Sequence, residues 1–399
     1  MRMRIKSLTI FFFLLLFISC REQVSVHDAL HHAAIDIPSI NLNSISESDQ
    51  LQMTVFADSV THIKLETTDE SLVGRISKIL FFDNLLIIQD RQTHSVFVFD
   101  RNGKFINRIG RRGQGPGEYV SILRVMLNPD NRQIMVFDGA SNKLIYYDLY
   151  GNFIREVTNF SESAVVRDII NLPNGNFLLY NFDQNLDHQF SGLWETDSDG
   201  VYVRTHLPPN TGYPFRLNLN NSYLDHLSDG VVLAAGDVDV IYHFRQDTLT
   251  AFLSYTIRNR TTAEDIRRRN RRRNINSWEV FDFVGMTDTH ETENYIFTQW
   301  ADEVFIMSVF SKRDNKIIAV GLPTFRCSRL ATISGLFVPS NDVNSLVMVV
   351  DAFWVSLYLE HPLMSSELAK NKLLELIYGM SEREIENMNP IIQILHIRQ

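Results

Sequence analysis

The chain has 399 residues, 45% of them apolar and 21% charged, which is the make-up of a globular protein and excludes one disordered throughout. Its 38 Lys and Arg against 47 Asp and Glu give a net charge of −9, which also excludes a protein whose main work is covering nucleic-acid phosphates. Two cysteines, Cys20 and Cys327, are too few for a disulfide framework or a four-cysteine zinc site.

In chain order, Arg2, Arg4 and Lys6 come first, and an apolar run over 8–18 follows, interrupted only by Thr9. Charge followed by a short greasy stretch is the order of a secretory signal, and the run is too short to span a bilayer comfortably. It ends in Phe17-Ile18-Ser19-Cys20, which resembles the lipobox of bacterial lipoproteins, with Phe17 standing where Leu is usual. The resemblance implies a signal peptide over 1–19 and lipid on Cys20, and removing the signal deepens the charge from −9 to −12. A multiply acylated cysteine is enough for stable anchoring. Residues 20–58 have little periodicity and read as a tether. His27 and His31 have helical spacing for a shared metal, but nothing nearby supplies a third ligand. Cys327, left alone in an oxidising compartment, is expected to be a buried structural thiol.

From there the chain repeats itself. Ile88-Gln89-Asp90 with Ser95-Val96-Phe97-Val98-Phe99-Asp100-Arg101-Asn102-Gly103-Lys104-Phe105-Ile106 recurs 48 residues later as Val136-Phe137-Asp138 with Lys143-Leu144-Ile145-Tyr146-Tyr147-Asp148-Leu149-Tyr150-Gly151-Asn152-Phe153-Ile154. A third copy keeps the Asp-x-x-Gly turn at Asp197 and Gly200. Each unit reads as short β-branched and aromatic strands joined by tight reversals, and Gly supplies the positive φ that such a reversal needs. Four antiparallel strands per period match a propeller blade, and roughly 50 residues per unit leave room for six blades. Strand-like runs at 231–234, 240–244, 295–299, 304–310, 316–320 and 346–350 supply the later blades.

The units at 88–100 and 136–148 resemble the NHL-type repeat, and Gly110-Arg111-Arg112-Gly113-Gln114-Gly115-Pro116-Gly117-Glu118-Tyr119 resembles its inter-blade loop. With the lipobox, Ile63-Lys64-Leu65-Glu66-Thr67-Thr68 and Asn389-Pro390-Ile391-Ile392, the whole is similar to the six-bladed β-propeller lipoproteins of Bacteroides-type bacteria. The resemblance covers about 55–399 and is most specific in its first third. It implies an all-β fold of four-stranded antiparallel blades over 59–399, and an envelope location. Closure is read separately: the apolar run 391–397 is a buried strand that completes a blade with Thr61, Ile63 and Leu65. A helical insert precedes it, running from Ser365 or Ser366 to Tyr378, ended by Gly379, then restarted by the capping box Ser381-Glu382-Arg383-Glu384 and stopped at Asn389-Pro390.

Searches for chemistry return structural answers. The loop 110–119 lacks the Gly-Lys-Ser/Thr ending of a phosphate loop, and Asp90 and Asp138 read as Asx-turns. His290-Glu291 has Asn294 where a zincin has its second His, and Asp197 lacks a calcium-loop Glu at the twelfth position, where Pro208 stands. Trp194, Trp278, Trp300 and Trp354 read as blade packing. Arg111 and Arg112 are the candidate binding residues, with the run Arg267 to Arg273 as a second patch for an anionic partner. The expectation is a lipid-anchored protein of the cell envelope, at the outer membrane, that binds or scaffolds a glycan, peptide or envelope protein without catalysis, with no nucleic-acid partner and no cofactor. The competing expectation is a lyase or lactone hydrolase working around a channel metal such as calcium, as some related propellers do.

Overall fold

The computed structural model describes residues 37–41, 50–163, 165–181, 192–208, 223–234, 240–256, 285–301, 305–324, 337–352, 355 and 374–398. Among these residues the strands form six antiparallel blades in chain order. The first is Ile76–Phe82, Leu85–Asp90, Ser95–Asp100 and Phe105–Arg108, and the second is Ile122–Asn128, Gln133–Asp138, Lys143–Asp148 and Phe153–Val157. The third is Asp168–Asn171, Phe177–Asn181, Gly192–Thr196 and Tyr202–Leu207, and the fourth is Leu224–Leu227, Gly230–Leu233, Val240–Arg245 and Thr248–Thr256. The fifth is Gly285–Glu291, Tyr295–Ala301, Phe305–Ser311 and Lys316–Thr324. The sixth joins Ser345–Val350, Ile391–Ile397 and Ala57–Lys64, with Phe337 bridging to Met348 where its innermost strand belongs. The all-β six-bladed reading therefore holds, including the half of the chain where the repeat fades.

Period-two patterning makes each blade two-faced. In the first blade Leu86, Ile88, Phe97 and Phe99 pack with Val347, Ile392 and Ile394 of the sixth. The alternate residues Ile87, Val96 and Val98 pack with Val125, Val136 and Ile145 of the second. Every blade thus needs both neighbours to bury its side chains, and the ring has to close.

The third-to-fourth strand reversal is built identically three times. Asp100, Asp148 and Asp197 each accept with Oδ1 from the backbone amides two and four residues on, at 2.8 to 2.9 Å. Gly103, Gly151 and Gly200 close these turns at φ of 85°, 84° and 81°. At Gly103 a Cβ would also run into the carbonyl oxygen of Lys64, so two physical constraints select glycine there.

Ile391–Ile397 lies in the middle of the closing blade, Ile392 opposite Val349 on one side and Ile63 on the other. Asn389, fully buried, precedes it and fastens the loop after Lys64. The insert is helical over 374–377, turns at Gly379 with φ 80°, and restarts as Glu382–Glu386 with both capping-box bonds of Ser381 and Glu384 present. Its expected start at Ser365 or Ser366 lies outside the described residues.

The tether expected over 20–58 is corrected in its described parts. Ser39–Asn41 adds in parallel to Thr248–Thr256, and Gln50–Gln52 adds in parallel to Lys316–Thr324, as fifth, outermost strands of two blades. Ile40, Leu51, Met53 and Phe56 are buried there. Single three-residue strands carry too few alternations to show as a period, which is why composition alone reads as linker. No helix among the described residues is long and apolar enough to cross a membrane.

Candidate functional site

The innermost strand of each blade runs in the same sense around the axis, so these strands begin on one face of the ring, here the upstream face, and end on the other, the downstream face. Their axis-facing side chains fill the channel. Arg124 of the second blade donates to the carbonyl oxygen of Leu224 and lies 3.2 Å from Asp225 Oδ1, while its Nε is 3.6 Å from Asp168 Oδ1. Lys78 of the first blade reaches across the ring to the same Asp225 oxygen at 3.4 Å. Asp168 Oδ2 also accepts from the amides of Tyr223 and Leu224 at 2.6 and 2.8 Å. His290 of the fifth blade donates from Nε2 to Ser345 O at 2.7 Å, stitching the fifth blade to the sixth. Two cations and two carboxylates from four blades therefore neutralise one another inside the ring.

Burial sets the protonation of this cluster. Desolvation, assisted by Arg124, pulls the Lys78 ammonium down to about 8, while burial pushes the Asp168 carboxyl up against the pull of Arg124. Desolvation in the channel mouth, together with the charges of Lys78 and Arg124, brings His226 down to about 4, although its side chain is exposed to the cavity. His290 is lowered by burial as well. Among the described residues no three His, Cys, Asp or Glu side chains converge as metal ligands. The carboxylates that a channel metal would need are instead engaged by Arg124 and Lys78.

Above this plug, on the downstream face, a cavity of about 880 Å³ opens where the inner strands of the first to fourth blades end. Lys78 lies in its wall with Phe82, Asn128, Asn171, His226 and Asn341. Asn341 makes two bonds to the backbone of Phe81, and Asn171 donates to Leu127 O at 3.1 Å and faces His226 Nε2 with its oxygen at 3.4 Å. The rim amides thus tie one blade to the next. Sequence reading missed this cluster. Its signal was present as single charges inside otherwise apolar inner strands, Lys78 in Ile76–Phe82 and Arg124 in Ile122–Asn128.

Arg111 and Arg112 are placed elsewhere. They form a two-residue strand paired in parallel with Glu118–Tyr119 in the linker between first and second blades, which topology puts on the upstream face. Arg111, with 82% of its side chain exposed, lies 2.6 Å from Glu118, whose other oxygen accepts from Gly115 N. Lys143, Glu156 and the Tyr147 hydroxyl hold Gly115 and Gly117 from below, which accounts for the glycine-rich loop as a blade junction. Asp90 and Asp138 make the Asx-type bonds and also accept from the backbone leading into their own inner strands, at Gly74 and Arg75 and at Val120 and Ser121. Trp194 is fully buried among blade contacts. Cys20, Cys327, His27, His31, Trp278 and the run Arg267 to Arg273 lie outside the described residues.

The ring is similar to solved structures. A putative exported protein from Bacteroides fragilis aligns with a TM-score of 0.71 at 18% identity, over 91% of this chain and 100% of that one. A member of the DUF4221 family from Bacteroides vulgatus aligns with a TM-score of 0.54 at 11% identity, over 86% of this chain and 97% of that one. Such identities speak to the fold alone. No curated protein matches the chain. The family model described as "Domain of unknown function (DUF4934)" matches residues 37–396, so the chain belongs to that family.

Proposed function

We propose that this chain is a lipid-anchored binding propeller of the bacterial cell envelope, which holds a polar ligand, a glycan or a peptide, in the cavity at the downstream mouth of its channel without turning it over. One observation carries the reading: the channel is plugged by the Lys78, Arg124, Asp168 and Asp225 cluster, and an open cavity of about 880 Å³ lies directly above the plug. That volume is in the range of ligand pockets, and propellers offer such mouths at the ends of their inner strands. The lipobox-like Cys20 supports anchoring, and the NHL-like repeats of the early blades and the exported relative from Bacteroides fragilis agree with an envelope setting. Arg111 and Arg112, on the upstream face, serve in this reading as a separate contact for an anionic partner.

The test uses the exposed rim residue Asn131. Soluble glycan and peptide fractions of the envelope are dialysed against the wild-type protein and against Asn131→Trp, whose indole fills the rim. Retention of a fraction by the wild type, lost in a variant with the same melting temperature, supports the reading. Retention that the variant leaves intact moves the ligand to another surface. Metabolic labelling with a fatty-acid analogue that persists in Cys20→Ala removes the anchor from the account.

A further inference from the structure

The wall of the mouth cavity contains a cation with an incomplete shell. The Lys78 side chain is 10% exposed, and its protein bond among the described residues is the 3.4 Å contact to Asp225 Oδ1. That same oxygen also serves Arg124 at 3.2 Å. An ammonium carries three donors, and a buried one left with a single long, shared acceptor gains from any further anionic oxygen that reaches it. Asp168 cannot serve, since Arg124 and two backbone amides occupy it. A second cation stands in the wall, Arg155, held over the Tyr146 ring at 4.0 Å and 3.6 Å from Asp199.

The remaining polar lining is of a different kind. Asn128, Asn131 and Asn174 ring the cavity with the exposed Asp130 among them, and an amide side chain both donates and accepts, while the amide of Asn341 is committed to the backbone of Phe81. Asn171 fixes its amide by donating to Leu127 O, so the oxygen it turns to His226 Nε2 makes that nitrogen the donor and leaves Nδ1 as an acceptor. Alternating donors and acceptors around one buried cation match a ligand with several hydroxyls and one carboxylate. A dianion fits less well, because Asp225 stands beside the ammonium and Asp130 on the rim.

We propose that the mouth cavity seats an acidic saccharide, a sugar of the uronic-acid class, with its carboxylate on Lys78 and its hydroxyls on the asparagine rim and on His226. The proposal rests on the binding reading above and names the ligand class of that same cavity.

The experiment is isothermal titration of the mature full-length protein with an oligomer of glucuronic acid and with the same oligomer after its carboxyls are reduced to alcohols. The acidic oligomer is expected to bind at least about tenfold more tightly, the scale of one charge-assisted bond in a partly buried site. Lys78→Met is expected to remove that difference by weakening the acidic oligomer alone. Asn131→Asp, an exposed change that leaves the fold alone, is expected to weaken the acidic oligomer by a larger factor than the reduced one, and it stands in should Lys78→Met fail to fold. Equal binding of the two oligomers overturns the carboxylate assignment while leaving the cavity a binding site. Binding of neither, alongside retention of a peptide fraction that Asn131→Trp abolishes, overturns the saccharide class and leaves the binding reading standing. Oligomer binding that Asn131→Trp does not touch overturns both.

Discussion

The side-chain amide of Asn389 donates to the carbonyl oxygen of Glu66 at 2.7 Å, joining two points 323 residues apart in the chain. The same amide donates to Ser71 O at 2.7 Å, its oxygen accepts from Val73 N at 2.8 Å, and its backbone amide donates to Thr67 Oγ1 at 2.8 Å. One buried side chain thus pins the loop that leads from the closing blade into the first blade.

Replacing Asn389 with Ala leaves two buried backbone groups, Ser71 O and Val73 N, without partners, while Glu66 O keeps the bond it accepts from the Ser71 hydroxyl. A loss on the order of 3–5 kcal/mol is expected, since each unsatisfied buried group costs about 1–3 kcal/mol and relaxation recovers a part. Urea denaturation measures it. A loss below about 1 kcal/mol would show that water or a local shift replaces the clamp.

Truncation after Asn389 removes the central strand of the closing blade, with Ile391, Ile392, Ile394, Leu395 and Ile397 all buried. Each such side chain contributes about 1.5–3 kcal/mol, against a total stability of about 5–15 kcal/mol for a typical domain. The truncated chain is expected to lack a cooperative thermal transition by calorimetry. A truncated chain melting at the wild-type temperature would mean that the ring closes without this strand.

Lys78 gives stability a signature in alkali. Its folded value of about 8 lies below the ordinary 10.5, so between these values the unfolded chain binds more protons and stability rises with pH. The gain is about 3 kcal/mol when fully developed, at about 1.36 kcal/mol per pH unit. Lys78→Met lacks it. The difference in stability between the wild type and the variant is therefore expected to grow in favour of the wild type from pH 8 to about 10.5. Parallel profiles would place the ammonium in solvent rather than in the plug.

In acid the histidines act together. His206, His226, His243 and His290 are all lowered, by desolvation first in each case and at the exposed His226 also by Lys78 and Arg124, so the folded state resists their protonation. The stability they contribute is present above their ordinary value of 6.5 and is lost as pH falls through their folded values, which for His226 is about 4. Asp168 opposes them, since its raised carboxyl contributes most below 3.8. The melting temperature is expected to fall from pH 6.5 toward 4, and His290→Gln, which keeps a donor toward Ser345 O, is expected to fall less steeply. An unchanged slope in that variant would exclude His290 from the effect.

The parts of this molecule legible in its sequence are those governed by local rules. The Asp100 and Gly103 turn, the Asp90 and Asp138 bonds and the Ser381 capping box depend on residues within a few positions of one another, and each stands as the spacing implies. The closing strand was legible because five of its seven residues are Ile or Leu, interrupted only by Gln393 and His396. Asn389 was visible as a helix stop, but its bonds to Glu66 and Ser71 depend on ring closure and leave no local mark. The channel plug is hidden for the same reason: Lys78 and Asp225 meet only because four blades bring them to one axis. Arg111 and Arg112 drew attention as charge in a loop, and Glu118, seven residues on, already holds one of them.

The central claim, that ligand is held at the downstream mouth, is tested most directly by hydrogen–deuterium exchange with and without the envelope fraction that the wild-type protein retains. Slower exchange is expected at the inner-strand ends and their turns, residues 127–133, 171–176 and 226–230, with the loop 110–119 unchanged. Protection confined to the loop 110–119, or to the outer strands, would contradict the account and place the binding surface away from the channel.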